Sequence, residues 1–158
     1  MEAKTLIAVF SRTGITKALA RAVSVKAEAD LFIINPAKDY PASYIKCIAV
    51  AKIENIKNAR PAIMGKPQNL EQYKNIILMF PIWWGQAPNI IHTFLDENNI
   101  AGKTILPICT HGGGGKRNTD KDLAQYSSSC TVLTCIDATK LKDAAVDTIV
   151  DKIKELEA

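Results

Sequence analysis

The first stretch with the residue types for chemistry is a short loop at residues 11–16, with the sequence SRTGIT. Ser11, Thr13 and Thr16 can donate hydrogen bonds to phosphate oxygens, and Gly14 lets the backbone approach an anion closely. An apolar run precedes the loop and an alanine-rich helical segment follows, so the first amides of that helix face the same place. The loop therefore predicts an anion site. A single Ser or Thr helix cap on an ordinary turn is the simpler alternative.

A second loop, residues 80–88 with the sequence FPIWWGQAP, contains both tryptophans of the chain. Trp83 and Trp84 follow a buried apolar run, and Gly85 comes next. Either indole alone could pack in the core beneath the following helix. A pair of indoles exposed on a loop instead predicts a wall for a planar aromatic ligand, because stacking adds about 0.5 to 1.5 kcal/mol beyond area burial.

A third loop, residues 109–118 with the sequence CTHGGGGKRN, contains four successive glycines. Such a run loses much conformational entropy on folding, so it needs a reason. Backbone amides that reach the edge of a flat, hydrogen-bonding ring would supply one, and a mobile surface loop is the alternative. We expect His111 to be solvent-exposed or at the ring edge, and not a catalytic base, because no carboxylate lies near it in sequence.

Two common nucleotide-binding motifs are absent from this glycine-rich loop. A Walker A motif fails because Thr110 stands in place of the first glycine and Arg117 in place of the Ser or Thr. The dinucleotide fingerprint G-x-G-x-x-G fails because Gly112 and Gly114 are followed, three positions later, by Arg117. These departures remove the main support for an ATPase or a Rossmann NAD-binding protein.

The elements that position the three loops alternate along the chain. Apolar runs predict strands at 4–10, 31–34, 76–80, 104–110 and 131–136, and helices are predicted at 16–29, 43–58, 88–98, 119–127 and 141–157. The strands show almost no polar alternation, which indicates a parallel sheet covered on both faces. The predicted fold is an open α/β sandwich, and its ligands should bind beyond the carboxyl ends of strands one, three and four.

Bulk properties exclude several classes of protein. The 158 residues predict a single domain, 1–158, and the net charge of +4 is scattered through helical segments, which argues against nucleic-acid binding. No apolar run approaches the length that spans a bilayer, and no targeting signal is evident, so a cytoplasmic location is expected. Four cysteines without C-x-x-C spacing and two histidines make a poor metal site, and we expect reduced thiols in the core.

The three loops together resemble those of short-chain members of the flavodoxin family, which read close to S-R-T-G-N-T, P-I-W-W-G-x-x-P and C-T-x-G-G. The resemblance covers essentially the whole chain, and only 20 residues separate Thr110 from Thr131, too few for the extra loop of long-chain members. It implies a three-layer α/β/α sandwich with a five-stranded parallel sheet in the order 2-1-3-4-5, and FMN bound without a covalent link.

The resemblance also implies which residues hold FMN. Those expected at the phosphate are Ser11, Arg12, Thr13, Gly14, Ile15 and Thr16; those along the isoalloxazine are Pro81, Ile82, Trp83, Trp84 and Gly85; and those at the pyrimidine end are Thr110, His111, Gly112 and Gly113. In many flavodoxins a Trp-Gly peptide next to flavin N5 turns over on reduction, and Trp84-Gly85 matches that step. No metal and no catalytic side chain is implied.

Two departures from the family pattern bear on binding. Ile15 replaces the usual Asn of the phosphate loop, which removes a side-chain donor. No Tyr or Trp lies in residues 110–118, so the second stacking face of many flavodoxins is missing; either His111 covers part of that side of the ring or the side is open.

The charge pattern also departs from acidic flavodoxins. The three loops contain no acid, whereas Arg12, Lys17, Lys116 and Arg117 lie in or beside them. We therefore expect a positive potential at the cavity mouth, a less reducing flavin than in acidic flavodoxins, and anionic partners.

Three functions remain open from the sequence. The first is electron transfer between soluble redox proteins, a reductase and an acceptor with an acidic docking surface, without nucleic acid or membrane as partner. The second is an FMN-dependent NAD(P)H:quinone oxidoreductase, or an oxidoreductase for a related acceptor. The third is an FMN-free scaffold.

Overall fold

The protein is a parallel sheet with helices on both faces. The computed structural model describes residues 3–158, so residues 1 and 2 of the predicted domain 1–158 lie outside the described residues. The strands are β1 (Lys4–Val9), β2 (Asp30–Ile33), β3 (Tyr73–Pro81), β4 (Thr104–Thr110), β5 (Thr131–Val132) and β6 (Ile136–Asp137). Every pairing is parallel and the order is β2-β1-β3-β4-β5, with β6 also paired to β4, which confirms the predicted order.

Within residues 3–158, six α-helices connect or follow the strands. They are α1 (Ile15–Ala27), α2 (Tyr44–Lys57), α3 (Asn89–Glu97), α4 (Thr119–Leu123), α5 (Ala138–Leu141) and α6 (Ala145–Glu157). Short 3-10 turns lie at Leu70–Gln72, Ala124–Tyr126 and Lys142–Ala144. None of the helices within 3–158 has both the length and the apolar character that crossing a membrane requires.

The sheet buries both faces, which explains the continuous apolar runs. Along β1, Ile7 and Val9 pack on the face that α1 and α6 cover, whereas Leu6 and Ala8 pack on the face that α3 covers. The last helix contributes an apolar stripe to the first of these cores, with Ala145, Ile149 and Ile153 buried. Because helices cover both faces of the sheet, its strands are held in place, and the three ligand loops start from the ends of those strands.

The last strand differs from the prediction. The sequence predicts one strand at 131–136, but the structure has two short pieces separated by residues 133–135. The Cys135 amide donates to Asp120 Oδ1 at 2.7 Å, and Lys116 Nζ donates to the Cys135 carbonyl at 3.2 Å. These side chains take the backbone groups of Cys135 out of the sheet ladder, so the strand is interrupted there.

The last helix also begins later than predicted. The sequence predicts a helix from residue 141, whereas α5 ends at Leu141 and α6 begins at Ala145. Lys142 between them has a φ of 52°, in the left-handed region, and a continuous α-helix cannot pass through that conformation.

Candidate functional site

The three predicted ligand loops meet at one cavity of about 720 Å³, at the carboxyl ends of β1, β3 and β4. This volume lies within the range typical of small-molecule sites, roughly 300 to 1,000 Å³. Its lining consists of Ser11, Arg12, Thr13, Ile15, Thr16, Tyr44, Cys47, Ile48, Ala51, Pro81, Ile82, Trp83, Trp84, Thr110, His111, Gly112 and Thr139.

Most of the predicted site residues therefore come together, and three glycines do not line the cavity. Gly14, Gly85 and Gly113 are absent from its wall. Each has a positive φ, at 94°, 78° and 128° respectively. Glycine adopts such values without steric cost, so these residues shape the loops and do not themselves border the cavity.

The phosphate loop forms a compact turn at the start of α1. The Gly14 amide donates to Ser11 Oγ at 3.0 Å, and α1 begins at the next residue, Ile15. The first amides of a helix have no partner within the helix, so the N-terminal turn of α1 offers donors at the cavity wall. Thr16 is buried, and its hydroxyl lies 2.8 Å from that of Thr110, so it joins this loop to the end of β4.

The Arg12 side chain links the phosphate loop to the connection that precedes α2. Its Nη2 donates to the Ala42 carbonyl at 2.7 Å and lies 3.5 Å from that of Pro41. Its Nε is buried and has no hydrogen-bond partner, which holds for no other buried side-chain nitrogen or oxygen within residues 3–158. Because an unsatisfied buried donor is unfavourable, this atom leaves a place for an acceptor supplied by a ligand.

The double-tryptophan loop makes a tight turn. Trp83 and Gln86 pair through both backbone bonds, at 3.0 and 3.3 Å. The two central residues, Trp84 and Gly85, have φ values of 56° and 78°, as in a type I′ turn. Trp84 is thus held in a conformation unfavourable for a residue with a side chain.

The two tryptophans do different things. Trp83 packs edge-on against Phe10 and Tyr40, with ring centroids 5.3 and 5.0 Å apart, and joins the core on the α3 side of the sheet. Trp84 is half exposed, its indole Nε1 donates to the Ile48 carbonyl at 3.0 Å, and Lys52 Nζ lies 4.7 Å from the ring centre. Trp83 therefore follows the core-packing alternative and still borders the cavity, whereas Trp84 is the exposed wall residue.

Helix α2 forms a wall of the cavity that the sequence analysis missed. Tyr44, Cys47, Ile48 and Ala51 recur at steps of three and four and share one face of the helix. Tyr44 is 68% exposed, unusually open for an aromatic residue beside a cavity. Tyr44 lies one helical turn before Ile48, whose carbonyl accepts the hydrogen bond from the Trp84 indole. It places an aromatic side chain in the cavity wall, whereas residues 110–118 contain no Tyr or Trp. The predicted strand order could have indicated this wall: β2 lies next to β1, so the helix that follows β2 is close to the loop that follows β1.

Of the two places expected for His111, solvent and the ring edge, the structure excludes the first: His111 lies in the cavity wall, and a carboxylate distant in sequence reaches it. Its side chain is about one-tenth exposed, and its Nε2 lies 2.8 and 2.9 Å from the two carboxylate oxygens of Asp137. Asp137 also caps α5 by accepting the Lys140 amide at 3.0 Å. Although burial alone would raise the pKa of Asp137, the hydrogen bonds from Lys140 and His111 hold it below its usual value.

Part of the positive charge predicted at the cavity mouth is paired with an acid, Asp120, from outside the three loops. Lys116 Nζ lies 2.7 Å from Asp120 Oδ2, and this hydrogen bond raises the pKa of Lys116 above its ordinary value. The Arg117 side chain lies over Gly85, where an added Cβ would come within 3.3 Å of Arg117 Cδ. Of the basic groups counted in the sequence, Arg12 and Lys17 remain nearest the phosphate loop, and Arg117 bridges the second and third loops.

The cavity fits the cofactor that the family resemblance implies. Hydroxyls and helix amides lie at the phosphate loop, and indole and aliphatic side chains form the walls. The buried Arg12 Nε has no hydrogen-bond partner among residues 3–158, and the amide of the lining residue Gly112 bonds no backbone carbonyl there. An elongated ligand with an anionic end and a flat ring carrying acceptors would satisfy both kinds of surface.

Comparisons with known proteins agree with this architecture. The family model described as "Flavodoxin" matches residues 4–153. A proposed flavoprotein from Bacteroides uniformis is 32% identical, covers 98% of this chain and 99% of its own, and has a TM-score of 0.82. Another from Bacteroides eggerthii is 29% identical, with coverage of 96% and 98% and a TM-score of 0.84.

A third similar structure contains a cofactor. It is a flavoprotein in complex with FMN from Lactobacillus acidophilus, 21% identical, with coverage of 95% and 97% and a TM-score of 0.79. The search of curated proteins found no match. The match over nearly the whole chain and the 32% identical relative lead to one conclusion: this chain belongs to the flavodoxin family.

Proposed function

We propose that this protein binds FMN at the cavity and transfers electrons between soluble redox partners. The observation that carries the proposal is the convergence of the phosphate loop, the tryptophan turn and the glycine loop on one cavity of about 720 Å³. FMN supplies the redox chemistry, and the protein binds the cofactor and controls access to it.

Different residues would contact different parts of the cofactor, according to their chemistry. Ser11 and Thr13, with the first amides of α1, hold the phosphate. Trp84 and Tyr44 offer aromatic surface to the isoalloxazine, and the Gly112 amide donates to the pyrimidine edge. Trp83 supports this wall from the core through Phe10 and Tyr40.

A carrier role is favoured by the lack of a free acid or base in the cavity wall. Both ring nitrogens of His111 are occupied by protein partners, and the other polar side chains in the wall are hydroxyls and Arg12. Burial is the largest influence on Cys47 and raises the pKa of its thiol, so it is not poised as a nucleophile. Electrons can leave a flavin edge without proton transfer from any of these groups.

The outer face of α2, beside the cavity, supports an acidic partner. Ile45, Ile53 and Ile56 are 74%, 53% and 71% exposed and recur at steps of eight and three, which places them along one face. Lys46, Lys52 and Lys57 are exposed on the same helix, whereas its one acid, Glu54, accepts a hydrogen bond from Tyr40. An apolar stripe with only positive exposed charges complements a partner whose apolar patch is rimmed by carboxylates.

We place the protein in the cytoplasm, supported by four free, buried cysteines. Arg12, Lys17 and Arg117 favour the reduced, anionic flavin, so its potential should lie above that of acidic flavodoxins, although the Lys116–Asp120 pair weakens the effect. A redox titration that gives a strongly low potential would contradict this part.

An NAD(P)H:quinone oxidoreductase is the second candidate. One observation favours it. Ile15, Tyr44 and Trp84 are 70%, 68% and 50% exposed around the cavity, so an electron acceptor that is apolar and aromatic, such as a quinone, has a surface on which to bind.

One set of measurements tests the proposal and separates the two candidates. The protein purified with FMN should show flavin absorbance that is lost on unfolding. NADPH should then reduce cytochrome c only when an NADPH-dependent flavodoxin reductase is added. Rapid NADPH oxidation with menadione and no reductase would favour the oxidoreductase, and a colourless protein that does not take up FMN would favour the scaffold.

The salt dependence of electron transfer tests the acidic-partner part. Oxidation of the reduced protein by ferricyanide, an anion, should slow as ionic strength rises, whereas oxidation by hexaammineruthenium(III), a cation, should not. Replacing Lys46, Lys52 and Lys57 by Gln should flatten the ferricyanide slope. The matched control is Lys154→Gln on α6, across the sheet, which should leave the slope unchanged. Equal slopes for all variants would contradict the role of α2.

A further inference from the structure

His111 uses both of its ring nitrogens to tie the glycine loop to another part of the chain. Nε2 contacts the Asp137 carboxylate at 2.8 and 2.9 Å. Nδ1 accepts the backbone amides of Gly113 at 2.9 Å and Gly115 at 3.2 Å. The His111 amide also donates to Thr139 Oγ1 at 3.0 Å. The residue thus joins residues 111–115 to the segment from β6 to α5.

These contacts fix the tautomer of the ring. Because Nδ1 accepts two N–H groups, it carries no proton, and the ring proton must lie on Nε2, where it is donated to Asp137. The carboxylate thereby orients the imidazole, as carboxylates hydrogen-bonded to metal-binding histidines orient those rings. With both nitrogens occupied, His111 has no proton to exchange with a ligand in the cavity.

The ring also decides which loop amides remain available. Gly113 and Gly115 turn their amides to Nδ1, and their φ values of 128° and 77° show why glycine is needed there. Gly112 lines the cavity, and its amide bonds no backbone carbonyl within residues 3–158. Without an internal acceptor such as Nδ1, four successive glycines would sample many conformations.

We propose that His111 is a positioning residue of the FMN site: its neutral ring, oriented by Asp137, orders the glycine loop so that the Gly112 amide is presented to the cofactor. This inference rests on the proposed FMN binding. It assigns to His111 no contact with the reacting part of the flavin. The loop order that it describes exists in the protein without cofactor and can be measured there.

The test compares two substitutions that each keep half of the imidazole. His111→Asn retains an oxygen near the position of Nδ1 but cannot reach Asp137. His111→Gln places its amide group near Nε2 and leaves the glycine amides without an acceptor. His111→Ala removes both contacts. The readouts are amide hydrogen exchange of Gly113 and Gly115 by NMR without FMN, and the FMN dissociation constant by flavin fluorescence.

We expect faster exchange at Gly113 and Gly115 in His111→Ala and His111→Gln, together with FMN affinity about 10-fold weaker, as loss of one or two hydrogen bonds implies. His111→Asn should restore most of the protection and most of the affinity. His92→Asn, which removes the only other histidine, should lower overall stability without selective exposure of the two glycine amides.

Two results would overturn the inference. One is unchanged exchange and affinity in His111→Ala; the other is rescue by Gln in place of Asn, which would mean that contact with Asp137 alone matters. If the wild-type protein fails to bind FMN, the proposed function fails, while the exchange rates still show whether His111 orders the loop. Should His111→Ala not fold, the Asn and Gln variants make the same comparison.

Discussion

The two sides of the cavity are built differently. On the glycine-loop side, polar groups are tied to protein partners: His111 bonds Asp137, Gly113 and Gly115, and Thr110 bonds Thr16. On the α2 side, the surface is mostly apolar and open, and the indole of Trp84 is attached to the helix through one hydrogen bond.

This difference separates two tasks of a cofactor site. Donors that recognise ring atoms must be fixed before the ligand arrives, because ordering them on binding lowers affinity. Aromatic surface that covers a ring face tolerates adjustment, since stacking is less directional than hydrogen bonding. In the proposed FMN site, the glycine-loop side is therefore the one suited to recognise the cofactor edge, and the α2 side is the one suited to cover its face.

The largest expected effect separates the two adjacent tryptophans. Trp83→Ala should lower the free energy of unfolding by about 3 kcal/mol, because it empties a space between Phe10 and Tyr40. Trp84→Ala, its matched control, should change that free energy by less than about 1 kcal/mol while weakening FMN binding. Urea denaturation and flavin fluorescence measure the two quantities. Equal loss of stability in both variants would remove the distinction between core and wall.

The next effect concerns the carboxylate behind the glycine loop. Asp137→Asn should cost about 1 to 2 kcal/mol at pH 7, through weaker bonds to His111 and the Lys140 amide. The folded pKa of Asp137 lies below its unfolded value of about 3.9, so its stabilisation is present above that pH and is lost as pH falls through the folded pKa.

The stability difference between wild type and Asp137→Asn should therefore shrink below about pH 4. Urea denaturation at several pH values measures it. A difference that stays constant down to pH 2.5 would mean that the charge of Asp137 contributes nothing.

The smallest effect, of opposite sign, lies on the α2 side. Burial raises the pKa of Glu54 despite the hydrogen bond from Tyr40, so the charged form is disfavoured in the folded protein. Glu54 thus favours folding most when it is protonated, and this contribution is lost as pH rises through the folded pKa. Glu54→Gln keeps an acceptor for Tyr40 and should stabilise the protein at pH 7 by about 0.5 kcal/mol, since the group is partly exposed and screened.

The same denaturation series checks this prediction. The gain from Glu54→Gln should disappear in acid, where the wild-type carboxyl is already protonated. A loss of stability at pH 7 would show that the charged form is the favoured one and would contradict the contrast with Asp137.

Local sequence patterns carried most of the fold and the position of the site. Buried apolar runs and turn chemistry located the strands, and the family resemblance supplied the sheet order. Hydroxyl, indole and glycine patterns found three loops because each is contiguous in sequence. Contacts between residues far apart in sequence could not be predicted from such local patterns. Asp137 lies 26 residues after His111, and no local pattern pairs the two residues.

The same limit explains the broken last strand and the unexpected wall. Asp120 captures the Cys135 amide from 15 residues away, which no strand propensity encodes. The sequence predicts a helix at 43–58, and α2 forms there with Ser43 as its cap, but which face borders the cavity depends on packing against the rest of the fold. Trp83 and Trp84 have the same residue type, and only the turn geometry separates their roles.

Titration of the cofactor-free protein with FMN and with riboflavin tests the central claim most directly. Riboflavin has the same ring without the phosphate, so it probes the walls alone, whereas FMN also engages the loop at residues 11–16. We predict 1:1 binding of FMN with quenched flavin fluorescence, and riboflavin binding weaker by at least about 100-fold, since an anion at a helix N-terminus gains several charge-assisted hydrogen bonds. Equal affinity for the two flavins, or no binding of either, would contradict the account.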